Sequence, residues 1–182
     1  MTQYNIIAES QEYTVVAEFD HVATPAEAYQ SEADLEKEFI RLLGEQGYEY
    51  LPIHKEADLI FNLRDQLEKL NHYHFTDNEW EHFFNECIAN KNDDIVAKTA
   101  KIQDDYIQVL KRDTGESQNI KLIDKDNIHN NFVQVINQYV EEGGNYDTRY
   151  DVSILVNGLP LVHIELKRRG VQLKEAFNQI NR

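Results

Sequence analysis

The sequence predicts an α/β (α+β) domain, and three observations carry that reading. Capping boxes led by serine and threonine open amphipathic helical stretches in the first half of the chain. Runs of β-branched and aromatic residues around turn signals mark hairpins, most densely in the second half. The 182 residues suffice for a single domain, spanning 1–182, with a substantial core.

The elements follow in chain order. Ile6-Ile7 and the run from Tyr13 to Phe19 predict an N-terminal β-hairpin, closed by the break at Ala23-Thr24-Pro25. Ser31-Glu32-Ala33-Asp34 reads as a capping box. It opens a helix with Leu35, Phe39, Leu42 and Leu43 on one face, ending between Gly44 and Gly47. Tyr48 to Ile53 suggests a short strand. Residues 56–70 space Leu59, Ile60, Leu63, Leu67 and Leu70 as a second amphipathic helix. Thr76-Asp77-Asn78-Glu79 is another capping box, ahead of Trp80, Phe83, Phe84 and Cys87. Tyr106–Arg112 and Asn119–Ile123 flank Asp113-Thr114-Gly115-Glu116, a hairpin signal. In Phe132–Tyr139 the β-branched Val133, Val135 and Ile136 favour strand over helix. Gly143-Gly144-Asn145 breaks the chain before two further strands. After Gly170, residues 172–182 read as a helix that stops without a cap, as in a piece of a longer protein.

Composition narrows the functional classes. The sequence has no apolar run long enough to span a membrane and no signal-peptide pattern at its N-terminus. Cys87 is the single cysteine, which rules out an intrachain disulfide and fits a reducing cytoplasm. It reads as a buried or half-buried helix residue, since nothing nearby resembles a positioned base. His72, His74 and His82 lack any matching acid or cysteine pattern and read as packing or surface residues. The net charge of −15 argues against a free-standing nucleic-acid binder. That charge is uneven. Residues 150–182 carry five basic against three acidic side chains, a net of +2, which leaves −17 on the rest. Any DNA affinity is therefore expected to depend on parts outside this chain.

The stretch with most chemistry is Asp151-Val-Ser-Ile-Leu-Val-Asn-Gly-Leu-Pro-Leu-Val-His-Ile-Glu165-Leu-Lys167. It reads as two strands joined at Asn157-Gly158, with Asp151 on the first and Glu165-x-Lys167 on the second. An Asn-Gly pair usually gives a two-residue loop. That register would place Asp151 and Glu165 on opposite faces. The apolar rows Val152/Ile154/Val156 and Val162/Ile164/Leu166 share a face only after a one-residue shift. A three-residue loop, Asn157-Gly158-Leu159, with a bulge at Gly158 supplies that shift and sets Asp151 opposite Glu165, with Lys167 two residues on. Two facing carboxylates repel unless a cation or proton lies between them. Mg²⁺ takes oxygen ligands and keeps several waters, one of which becomes a nucleophile suited to cutting a phosphodiester. Lys167 would then orient or deprotonate the water, or stabilise charge on the phosphate. The competing reading is a strand edge with a cross-strand Glu–Lys pair, and spacing alone leaves both open.

Longer blocks favour the first reading. Arg149 to Gly170, followed by Glu175-Ala-Phe-Asn-Gln179-Ile, resembles the nuclease domain of the HsdR (motor) subunit of type I restriction enzymes. Tyr29-Gln30-Ser31-Glu32-Ala33-Asp34-Leu35-Glu36 resembles the start of the same subunit, so the similarity covers nearly the whole chain. The resemblance implies a PD-(D/E)xK restriction-endonuclease-like fold, a mixed sheet flanked by helices. It implies Asp151 and Glu165 as Mg²⁺ ligands and Lys167 as catalytic base or orienter. Gln179 matches the first residue of the family's Gln-x-x-x-Tyr helix, whose Tyr position falls one residue beyond Arg182. Tyr150 stands where the family motif usually has proline. Related nucleases often add an acid from the first helix, for which Glu32 is the first candidate and Glu36 the second. Arg168 and Arg169 are candidates for DNA contact.

The function implied is metal-dependent cleavage of double-stranded DNA, as a type I site-specific deoxyribonuclease module working with methyltransferase and specificity subunits. A non-catalytic assembly module of the same fold, or a related resolvase or repair nuclease, are the alternatives. In the family, ATP serves helicase-like motor domains. This chain has no G-x-x-x-x-G-K-[ST] loop, so it is expected not to bind ATP, and its acidic charge and missing motor imply weak or no cleavage alone.

Overall fold

The computed structural model describes residues 4–9, 15–19, 31–141 and 148–167. Its centre is a four-stranded mixed sheet in the order β3 (Glu49–Tyr50), β6 (Val133–Glu141), β7 (Thr148–Val156), β8 (Leu159–Ile164). β3 runs parallel to β6, and the other neighbours are antiparallel. The predicted class, a mixed sheet flanked by helices, is the one observed. β1 (Tyr4–Glu9) and β2 (Val15–Phe19) form the expected N-terminal hairpin. β4 (Ile107–Lys111) and β5 (Ser117–Lys121) form the expected central one.

Helix α1 (Glu32–Glu45) starts at the predicted capping box. Asp34 N–H donates to the Ser31 hydroxyl at 3.1 Å, and the Asp34 carboxylate reaches back to the Ser31 backbone. Leu43 and Phe39 then pack on one sheet face, against Val135, Val152, Ile154 and Ile164. Helix α2 (Glu56–Asn71) covers the other face. Its Leu59 packs with Ile136 and Leu155, and its Asn62 donates to Gln134 at 2.9 Å. The central strand β7 is therefore buried on both sides, with Val152, Ser153 and Leu155 all at 0 % exposure. This departs from the one-sided pattern that alternation of Val152, Ile154 and Val156 predicts. Flanking by two helices, rather than one, is the reason.

Helix α3 (Asp77–Phe83), opened by the Thr76–Glu79 capping box, runs into a π-helical turn over Phe84–Ile88. Phe75, Trp80 and Phe83 join Leu63, Leu67, Leu110 and Ile120 in the largest apolar cluster. Burial pushes the Cys87 thiol up, so it carries no activated thiolate. Helix α4 (Ile95–Gln103) has no counterpart in the sequence reading. Its one local signal is Asp94, whose carboxylate accepts the Ala97 N–H at 2.8 Å. Among the described residues, no helix is long and apolar enough to cross a membrane.

Candidate active site

The β7–β8 hairpin delivers the two carboxylates. Its turn is the two-residue Asn157-Gly158 form after all, with both residues at positive φ (52° and 82°) and Val156 paired with Leu159. The expected three-residue loop with a bulge at Gly158 is thus corrected. The register nonetheless shifts by one between Ile154 and Leu155, with Leu161 as the extra residue on β8. Beyond it the pairs are Ile154↔Val162, Ser153↔His163 and Val152↔Ile164, the register that the apolar rows demand. The turn chemistry and the core each impose a register, and one unpaired residue on an edge strand satisfies both. The paired segment ends one step short of Asp151 and Glu165, so those two residues come opposite each other where the strands part.

There the side chains converge. Asp151 Oδ2 accepts the Leu166 backbone N–H at 2.9 Å. Lys167 Nζ pairs with Glu165 Oε1, in a contact whose side chains are only 16 % and 4 % exposed. Burial disfavours the Lys167 charge. The hydrogen bond and charge of Glu165, then the charges of Glu32 and Asp151, outweigh that and raise its pKa above the usual lysine value. One ammonium thus feels all three acids. Of the two helix acids considered from the sequence, Glu32 acts on the Lys167 charge, whereas Glu36 is engaged by Asn137 and Gln138 on β6. Arg168, Arg169 and Gln179 lie outside the described residues.

Asp151 and Glu165 each commit one oxygen to these contacts. What remains is a pair of hard carboxylate donors, which suits a small divalent cation that retains much of its water. Among the described residues, no three His, Cys, Asp or Glu side chains form a ready-made metal cage. His74 pairs with Glu68 at 2.7 Å, and His72 is the left-handed C-cap of α2, consistent with packing and surface roles for these histidines.

Beside the site lies a group that the sequence did not single out. His163 Nδ1 is 2.8 Å from the buried Ser153 hydroxyl, and its ring stacks on Tyr150 with centroids 4.0 Å apart. Cross-strand pairing was the available signal, since the register that sets Asp151 opposite Glu165 also sets Ser153 opposite His163.

The sequence matches the family model described as the type I restriction enzyme R protein N terminus over residues 29–182. It is 48 % identical over 177 residues to the type I restriction enzyme EcoprrI endonuclease subunit of Escherichia coli, covering 97 % of this chain and 56 % of that one. It is 40 % identical over 159 residues to the SsaAORF53P endonuclease subunit of Staphylococcus saprophyticus, covering 85 % of this chain and 16 % of the relative. The SauMSSORF170P endonuclease subunit of Staphylococcus aureus is 39 % identical over 160 residues, with 85 % and 17 % covered. The chain therefore spans about half of the first relative and about a sixth of the others.

Proposed function

The chain belongs to the family of type I restriction enzyme R protein N-terminal domains, and on that premise we propose that it is the metal-dependent endonuclease module of such a subunit, cleaving double-stranded DNA. The observation that carries the proposal is the meeting of Asp151, Glu165 and Lys167, with the charge of Glu32, at the open end of the β7–β8 hairpin.

Asp151 and Glu165 are the residues that would hold Mg²⁺, which supplies an activated water and charge neutralisation when bound. The Leu166 N–H fixes one Asp151 oxygen and so orients the carboxylate. Lys167 is held against Glu165 as an ion pair, and in this reading it is assigned no general-base role. Its role is electrostatic: a fixed cation beside the reacting phosphate that stabilises the charge developing there. Glu165 keeps that ammonium in place until phosphate competes for it.

Binding the DNA backbone needs positive charge, which a chain of net charge −15 supplies poorly. Arg168, Arg169 and Gln179 are proposed as local contacts. The main affinity and the ATP-driven step are assigned to the remainder of the subunit and its methyltransferase and specificity partners. The test uses the complete subunit carrying this chain, in its assembled complex. Asp151→Ala and Lys167→Ala should each reduce DNA cleavage at least a hundredfold and leave ATP hydrolysis within twofold of the parent. Cleavage retained by either variant would remove the assignment.

A further inference from the structure

Gln138 sits on β6 at the position facing Asp151, and the ladder between β6 and β7 is interrupted there. Asn137↔Val152 and Tyr139↔Tyr150 are paired, but no pair joins 138 to 151. Gln138 has φ 52°, in the left-handed region that a residue with a side chain rarely adopts. The break reverses the faces of both strands. Ile136 and Tyr139, three apart, meet in one cluster, and so do Leu155 and Tyr150, five apart. Strict alternation would put each of these pairs on opposite sides.

The same break lets two consecutive residues reach one carboxylate. Asn137 Nδ2 and Gln138 Nε2 both donate to Glu36 of α1. Neighbours on a regular strand point to opposite faces, so this double contact requires the left-handed backbone at Gln138. Asn137 is held in turn, because its Oδ1 accepts the Tyr50 hydroxyl at 2.9 Å. Asp151, left out of the β6 ladder, directs its carboxylate to the β8 side and accepts the Leu166 N–H.

We propose that Glu36 is a positioning residue that clamps Gln138 in the left-handed conformation and so frees Asp151 from β6 and aims it at Leu166, beside Glu165 and Lys167. The inference rests on the nuclease reading of that site. It gives Glu36 a task other than the metal-ligand role considered from its place on the first helix.

Three variants test it in the complete subunit within its complex: Glu36→Ala, Gln138→Val, and Glu36→Ala combined with Gln138→Gly. Valine resists the left-handed region, whereas glycine enters it without a clamp. Glu36→Ala and Gln138→Val should each lower cleavage at least tenfold, with ATP hydrolysis within twofold of the parent. Both should speed amide hydrogen exchange in the peptide containing Leu166. Adding Gln138→Gly to Glu36→Ala should recover at least threefold of the lost cleavage and restore the protection. A metal ligand, or a residue needed only for stability, would not be rescued by a glycine at position 138 on β6. Failure of the glycine to rescue, or parental cleavage by Gln138→Val, would overturn the proposal. If Asp151→Ala still cleaves DNA, the nuclease reading itself fails; if only the Glu36 and Gln138 variants behave like the parent, that reading stands and the clamp alone is lost.

Discussion

The β4–β5 hairpin keeps one register through every pair, from Ile107↔Lys121 to Lys111↔Ser117, and a Cβ added at Gly115 would meet open space. The β7–β8 hairpin changes register at Leu161, and a Cβ at Gly158 would lie 2.5 Å from the Leu63 Cα of helix α2. Their anchors differ as well. Asn157 is fully buried. It donates to the Leu122 carbonyl at 3.0 Å and to Asn131 at 2.8 Å, and it accepts the Phe132 N–H at 2.8 Å. The β4–β5 turn is held by a charge. Buried Glu79 accepts the Asp113 N–H and the Thr76 N–H, each at 3.1 Å, and the Tyr73 hydroxyl at 2.8 Å. Similar turn signals in the sequence thus lead to one hairpin locked by neutral close packing and another tied on by an ionised carboxylate. The locked one carries the candidate site, where a small displacement of a ligand would matter most.

Substitution of the two turn glycines probes this contrast most strongly. Gly158→Ala meets both a positive φ and backbone of α2 that cannot step aside, and should cost about 4 kcal/mol in urea denaturation. An equal cost at Gly115 would break the comparison.

The charged anchor predicts an effect of intermediate size and a pH dependence. Burial favours the neutral form of Glu79. The Tyr73 hydroxyl and the Thr76 and Asp113 amides outweigh it and hold its carboxyl below the usual glutamate range. Such a group stabilises the fold above the unfolded glutamate pKa of about 4.3, and that contribution is lost as pH falls through the depressed folded value. Glu79→Gln should therefore cost about 2 kcal/mol near neutral pH. The gap to the parent should shrink in acid, as followed by thermal melts across pH 2 to 7. A gap that widens in acid would contradict the charged anchor.

The smallest effect is expected at Gly115→Ala. Only the left-handed backbone (φ 86°) opposes it there, at about 1 kcal/mol in the same denaturation experiment. It should leave the β7–β8 site untouched.

Much of this architecture could be read directly from the chain. Ser31 with Asp34, and Thr76 with Glu79, announced their helices because a cap uses residues three apart. Asn157-Gly158 announced its turn, and the apolar rows announced the register beyond it. The position of the bulge was misplaced because Gly158 and Leu161 both reconcile the same two constraints. In the structure the extra residue is Leu161, on an exposed part of β8. Helix α4 escaped because it has no buried residue to give it a strong apolar stripe.

The sequence by itself determined helices α1 to α3, the hairpins and the pairing that brings Asp151 toward Glu165 and Lys167. These follow from local propensity and from periodic burial, which neighbours along the chain encode. Tertiary structure alone decided how Asp151 is aimed. The left-handed Gln138 is neither glycine nor in a turn, and its conformation is supported by Glu36, more than a hundred residues earlier in the chain. No local pattern can specify a backbone state whose stabilising partner arrives only when helix α1 docks on the sheet.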